Sequence, residues 1–168
     1  MSDAGIYSTS QKLRGWQFQT FVTNVLNDLR KRKNTFNLGR LDISVRNDMR
    51  RRGVEVKSSS VIISGDVIRK YITHPKSKKG ATLHYNKFWI LSQIVRKPSS
   101  IYVDKRSKYL IYIFTGKKSL NGNVIKAVIQ PNYVLKINKR KVNRNLLKSI
   151  GVVNNKNMNQ RLDYERIK

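Results

Sequence analysis

The 168 residues carry 36 Lys and Arg against 9 Asp and Glu, a net charge of +27, and 39% of them are apolar. That apolar share allows one buried core and excludes a disordered basic tail, and the length is that of one domain. No run approaches the roughly 18–20 apolar residues of a membrane span, and the lack of cysteine excludes disulfides, thiolate metal sites and cysteine nucleophiles. A surface this positive repels itself unless a polyanion neutralises it; nucleic acid is the commonest such partner, anionic membrane the second and acidic protein the third. The first residues lack the basic-then-apolar order of a secretory signal. Nothing demands an oxidising compartment, and a cytoplasmic location is expected.

In chain order, Leu13, Trp16, Phe18, Val22, Val25, Leu26 and Leu29 recur at helical spacing. They predict an amphipathic helix over residues 11–33 with Arg30 to Lys33 in its last turn, where cations suit the dipole. Residues 39–46 and 53–58 alternate apolar and polar, which predicts two strands joined by a tight basic turn. Val61-Ile62-Ile63, Gly65-Asp66 and Val67-Ile68 read as a further hairpin. Residues 72–86 are loop-like, and residues 87–97 form a short helix ended by Pro98. Strands are expected at 101–103, 108–115, 124–130 and 133–138. From Lys139 onward the chain is rich in Lys, Arg and Asn, with one short helix around Leu146. The expected organisation is a domain over 1–150 and a basic tail over 151–168, in an α/β or α+β fold with a mixed sheet.

The chemistry concentrates in the expected hairpin. Period two gathers Leu41, Ile43 and Val45 on one strand face, with Asp42 opposite; it gathers Val54 and Val56 on the next strand, with Glu55 and Lys57 opposite. A turn centred between Asp48 and Met49 sets Asp42 directly across from Glu55, with Cβ atoms roughly 4.5–5.5 Å apart, and a shift of one residue in the turn sets it between Glu55 and Lys57. Two carboxylates so placed repel, and a hard divalent cation with oxygen ligands compensates them. Against this stands a solvated charged face. With 21 Lys in the chain, a Lys two places after a given Glu is expected about one time in eight, so the Glu-x-Lys spacing alone carries almost nothing. What favours chemistry is that Glu55 is one of only two glutamates and sits within a β-branched run.

Gly39-Arg40-Leu41-Asp42-Ile43 followed by Gly53-Val54-Glu55-Val56-Lys57-Ser58 resembles the signature of the PD-(D/E)XK nuclease superfamily. The helix that holds Gly15-Trp16-Gln17-Phe18-Gln19 precedes it, as the first core helix does in that superfamily. The resemblance covers roughly residues 12–60. Leu41 stands where many members have Pro, and Gln19 near where many carry a Glu. The resemblance implies a restriction-endonuclease-like core, a mixed central sheet flanked by helices. It further implies Mg²⁺ held by Asp42, Glu55 and the Val56 carbonyl, with Lys57 orienting water or neutralising developing charge. For Lys57, an ordinary salt bridge to Asp42 is the alternative.

Arg50, Arg51, Arg52, Lys76, Lys78, Lys79, His84 and Asn86 supply donors for phosphates and base edges. The expected function is a site-specific, restriction-type DNA endonuclease acting as a homodimer. The alternatives are a structure-specific nuclease such as a Holliday junction resolvase, and a non-catalytic basic DNA-binding protein.

Overall fold

The computed structural model describes residues 9–73, 83–84, 89–115, 123–154 and 163–168. Helix α1 (Thr9–Asn27) is followed by a 3-10 helix (Leu29–Lys33), strand β1 (Thr35–Arg40), α2 (Ile43–Arg51), β2 (Ser60–Ser64) and α3 (Gly65–Tyr71). Then come β3 (Ile72–Thr73), β4 (Leu83–His84), α4 (Trp89–Arg96), β5 (Ser100–Asp104) and β6 (Leu110–Phe114). Two long strands, β7 (Asn123–Ile137) and β8 (Arg140–Asn154), precede the short β9 (Tyr164–Arg166). The fold is mixed α/β: seven strands form one mixed sheet in the order β1-β2-β8-β7-β6-β5-β9, and β3 and β4 form a separate parallel pair. Among the described residues of the large sheet, β2 and β8 alone run parallel.

Period two on β6 explains the layering. Leu110 and Tyr112 face a core to which all four helices contribute, whereas Ile111 and Ile113 face a smaller cluster with Tyr102 and Val124. Helix α1 buries Phe18, Val22 and Val25, spaced four and three apart, as one helical stripe requires. Phe18 and Phe21 pack their rings on Phe36 of β1 at 5.1 and 5.5 Å between centroids. Trp16 and Leu29, expected on that stripe, are 71% and 58% exposed. Asp28 breaks the helix before Leu29, accepting from the Arg30 N–H at 3.0 Å and so starting the tighter 3-10 turn.

Four expectations are corrected. Residues 43–51, read as strand and turn, are helix α2. Residues 65–71, read as the far half of a hairpin, are helix α3. Ser64 Oγ accepts from the Val67 N–H at its start, and Asp66 lies in its first turn. Gly65 is there for close approach, because a Cβ at that position would stand 2.6 Å from the Lys31 carbonyl oxygen. The short helix around Leu146 is instead part of β8. The residues beyond 150, expected as a tail, continue β8 to Asn154, and β9 pairs antiparallel with β5.

Beyond the bulge at Gln130/Tyr133, β7 and β8 form a two-stranded ribbon that pairs with no other strand among the described residues. Its tip, Asn138-Lys139, has both residues at positive φ (50° and 66°), the two-residue turn whose twist matches a hairpin.

Candidate functional site

The chain enters the site from β1. The Leu41 N–H extends the β1–β2 ladder by donating to the Ser59 carbonyl at 2.8 Å, and the Leu41 side chain is buried. Continuing that register sets Asp42 level with Ser58, three residues from Glu55, so the two carboxylates are not a directly opposed pair. Asp42 instead starts α2 as its N-cap residue, without a side-chain capping bond. Helix α2 buries Val45 and Met49, four apart, and leaves Ile43 73% exposed. Arg50 and Arg51 lie in its last turn, and Gly53 follows at φ +86°. These are helix start and stop signals. The period-two reading overlooked them because Leu41, Ile43 and Val45 fit both patterns.

Each acid is held by a cation. Asp42 Oδ2 lies 3.1 Å from Lys168 Nζ, and both side chains are more than half exposed. Glu55 accepts from Arg50 Nε at 3.0 Å and Nη2 at 3.1 Å, a two-pronged pair across the end of α2. The Val56 side chain is buried, and its carbonyl accepts from Arg46 Nη2 at 3.1 Å. Lys57 is exposed and forms no ion pair among the described residues; the salt bridge to Asp42 that was its alternative role is made by Lys168. Tyr112 lies fully buried in β6; burial, with the Asp42 charge adding to it, pushes its phenol well above the usual range.

The segment that carries Glu55 and Lys57 is extended but not in the sheet. Two amides from the β7–β8 hairpin take the place of a partner strand. At the bulge, Pro131 and Asn132 stand against Asn145 alone, which turns the Asn132 side chain outward at φ 57°. Asn132 Nδ2 donates to the Glu55 carbonyl at 2.8 Å, and its Oδ1 accepts from the Lys57 N–H at 2.9 Å. Asn145, fully buried, donates to the Ser58 and Ser60 carbonyls at 2.6 and 2.9 Å. Residues 55–60 are thereby fixed from behind while the Glu55 and Lys57 side chains face solvent. No sequence spacing pointed to Asn132, Asn145, Arg46 or Lys168.

The donor set fits a hard cation in part. Two exposed carboxylates have the right chemistry, but each is engaged, the Val56 carbonyl is taken by Arg46, and no group of three acidic or imidazole side chains converges among the described residues.

The remaining sequence-derived residues divide. Arg50 and Arg51 are exposed at the end of α2, Arg51 pairing with Asp48 at 3.1 Å. Arg52 is half-buried and bridges Asp48 and Glu165 at 2.7 Å each, tying α2 to β9. That bridge holds the Asp48 carboxyl below its usual range, the Arg52 hydrogen bond being the largest cause. His84 lies in β4, level with Thr73 of β3. Lys76, Lys78, Lys79, Asn86 and the side chain of His84 lie outside the described residues. A cleft of about 580 Å³ beside β1, lined by Gln17, Phe36, Asn37, Gly39, Arg40 and Arg96, has no carboxylate among its described lining residues. No helix among the described residues is long and apolar enough to cross a membrane. Comparison with family models, with curated proteins and with solved structures gives no match.

Proposed function

We propose that this protein binds DNA and hydrolyses its backbone as a magnesium-dependent endonuclease, with Asp42, Glu55 and Lys57 as the working residues. The observation that carries the reading is positional. Asp42 follows the end of β1, and Glu55-Val56-Lys57 leads into its antiparallel neighbour β2, so both parts of the motif lie at one end of one strand pair. Charge supports the partner, since 36 cations against 9 carboxylates suit a phosphate backbone.

Asp42 and Glu55 would hold Mg²⁺, which when bound polarises a phosphoryl oxygen and acidifies a water. Arg50 and Lys168 have to leave the two carboxylates first. Exposed ion pairs of this kind are worth about 0–1 kcal/mol, so a divalent cation displaces them cheaply. The Lys57 ammonium, without an ion-pair partner among the described residues and on a backbone fixed by Asn132, is suited to balance charge on the transferring phosphoryl group. Arg50, once released, offers a forked donor set to a neighbouring phosphate.

A homodimer that cuts at specific sites is the first form of this proposal, and a structure-specific nuclease that reads backbone geometry is the second. A non-catalytic DNA-binding protein is the rival reading, favoured by the ion pairs that occupy both carboxylates. Supercoiled plasmid incubated with the protein in Mg²⁺ and in EDTA tests the proposal. Nicking or linearisation in Mg²⁺ alone is expected, whereas tight binding with the plasmid left supercoiled in both assigns the protein to the rival class.

A further inference from the structure

The β7–β8 ribbon is strongly cationic. Residues 123–154 hold seven Lys and Arg and no carboxylate. Beyond the bulge, Tyr133 to Ile137 pair with Arg140 to Arg144 and with no other strand among the described residues. Residues directly opposite in an antiparallel pair share a face, so the register sorts the ribbon into two faces. Tyr133, Leu135, Ile137 and Val142 form an apolar ladder on one face, flanked by Arg140 and Arg144. The other face carries Val134 with Asn143 and Lys136 with Lys141.

The second face is built against its own stability. Lys136 and Lys141 are directly opposed, and like charges there destabilise a strand pair. Lys139 takes a left-handed conformation at the tip, adding a further cation close by, and Arg140 follows it on the opposite face. Val134 is 54% exposed. A polyanion relieves the repulsion, and the residue types match one polyanion in particular. In the major groove of B-form DNA, Lys reads guanine O6 and N7, Asn reads adenine N6 and N7, and an apolar side chain meets the thymine methyl. A two-stranded ribbon fits that groove, about 12 Å wide, and five residue pairs span roughly 17 Å along it. The deep, narrow major groove of an RNA duplex does not admit it.

We propose that the β7–β8 ribbon enters the major groove of duplex DNA with the Val134, Lys136, Lys141 and Asn143 face toward the base edges and Lys139, at the tip, beside the phosphates. The inference rests on the DNA-binding reading and adds a mode of recognition to it. The ribbon also springs from the candidate site: Asn132, one residue before it, holds the Glu55 carbonyl and the Lys57 N–H. A ribbon seated in the groove therefore brings that segment to the adjoining backbone.

The test compares full-length wild type with Lys136→Ala/Lys139→Ala/Arg140→Ala/Lys141→Ala on a mixed-sequence DNA duplex, over a range of salt, with an RNA duplex beside it. Wild type is expected to bind DNA with a steep salt dependence, and loss of these cations should flatten the log–log slope by about 1 for each phosphate contact removed. Methylation of guanine N7 in the duplex should interfere with wild-type binding and not with residual binding by the variant. Wild type that fails to bind DNA refutes the DNA-binding reading itself. DNA binding by the variant with an unchanged slope leaves that reading standing and overturns the ribbon inference. So does equal affinity for the RNA duplex, or competition by a minor-groove ligand without N7 interference. If the substitutions change only the oligomeric state in sedimentation, the ribbon's partner is a second copy of the chain and the inference is wrong.

Discussion

Removing the Asn145 amide should loosen the motif segment from behind. Its Nδ2 serves the Ser58 and Ser60 carbonyls at 2.6 and 2.9 Å, and its Oδ1 meets the Asn132 N–H at 3.4 Å. In Asn145→Ala both carbonyls lose a donor in partly buried surroundings, at about 1–3 kcal/mol for each group left unsatisfied. Ser58 and Ser60 are only half-buried, so the lower half of the range applies, and the sum is about 2–4 kcal/mol. With a urea dependence of about 2 kcal/mol per M, the unfolding midpoint should fall by roughly 1–2 M. Hydrogen exchange should localise the loss, with faster exchange of the Lys57 N–H, because Asn132 loses its own support. Asn145→Asp should be worse at neutral pH, since it turns a carboxylate toward two carbonyls. A midpoint within experimental error of wild type for Asn145→Ala would refute the view that these amides substitute for a partner strand.

Gly65→Ala should destabilise even though alanine favours helix by about 1 kcal/mol, because its Cβ would lie 2.6–2.8 Å from backbone atoms of Lys31 and Arg32. Overpacking of that kind costs about 1–3 kcal/mol, read as a melting temperature lowered by several degrees; an unchanged or raised value contradicts the packing. Asp48→Asn should weaken the protein at pH 7 and converge on wild type in acid. A carboxyl with a folded pKa below its unfolded value of 3.8 contributes above that value and loses its contribution as pH falls through the lower folded one. Parallel urea titrations at pH 7 and near pH 2 check this, and an equal deficit at both would rule it out. His84→Ala with Asn86→Ala should abolish discrete fragments from a long random-sequence duplex if these residues read base edges, each good contact being worth roughly 1–3 kcal/mol. Undiminished cutting of an immobile four-way junction by the same variant, with the duplex untouched by wild type, would favour the structure-specific reading.

Short-range signals made part of this fold legible. The apolar run Leu110–Phe114, the segment Ser100–Asp104 and the helix stopped by Pro98 lie where their composition put them. Periodicity failed where two patterns coincided. Leu41, Ile43 and Val45 alternate as a strand would, but Ile43 faces water, and the pair Val45 and Met49 with Gly53 beyond them belongs to a helix. β8 was illegible because its first half is mostly Lys, Arg and Asn, residues that suggest a solvated tail, and because the turn Asn138-Lys139 that pairs it with β7 lacks the glycine of the strongest hairpin signals. Asn132 and Asn145 could not be singled out among sixteen asparagines, since their role depends on a bulge that sets them against a segment more than seventy residues away. Of the candidate site, the residues on either side of the β1–β2 pair were visible in the sequence, whereas the cations that occupy them were not. Lys168 lies 126 residues from Asp42 in the chain, and only tertiary structure joins them.

Single-turnover cleavage of a duplex, with binding followed on the same samples, tests the assignment of Asp42, Glu55 and Lys57 most directly. Asp42→Asn, Glu55→Gln and Lys57→Ala alter exposed side chains whose loss leaves the core intact. Each is expected to lose magnesium-dependent cutting by a hundredfold or more while DNA affinity in EDTA stays equal or rises, because affinity comes from the cationic surface and chemistry from three groups. Cleavage at the wild-type rate by all three variants would contradict the account.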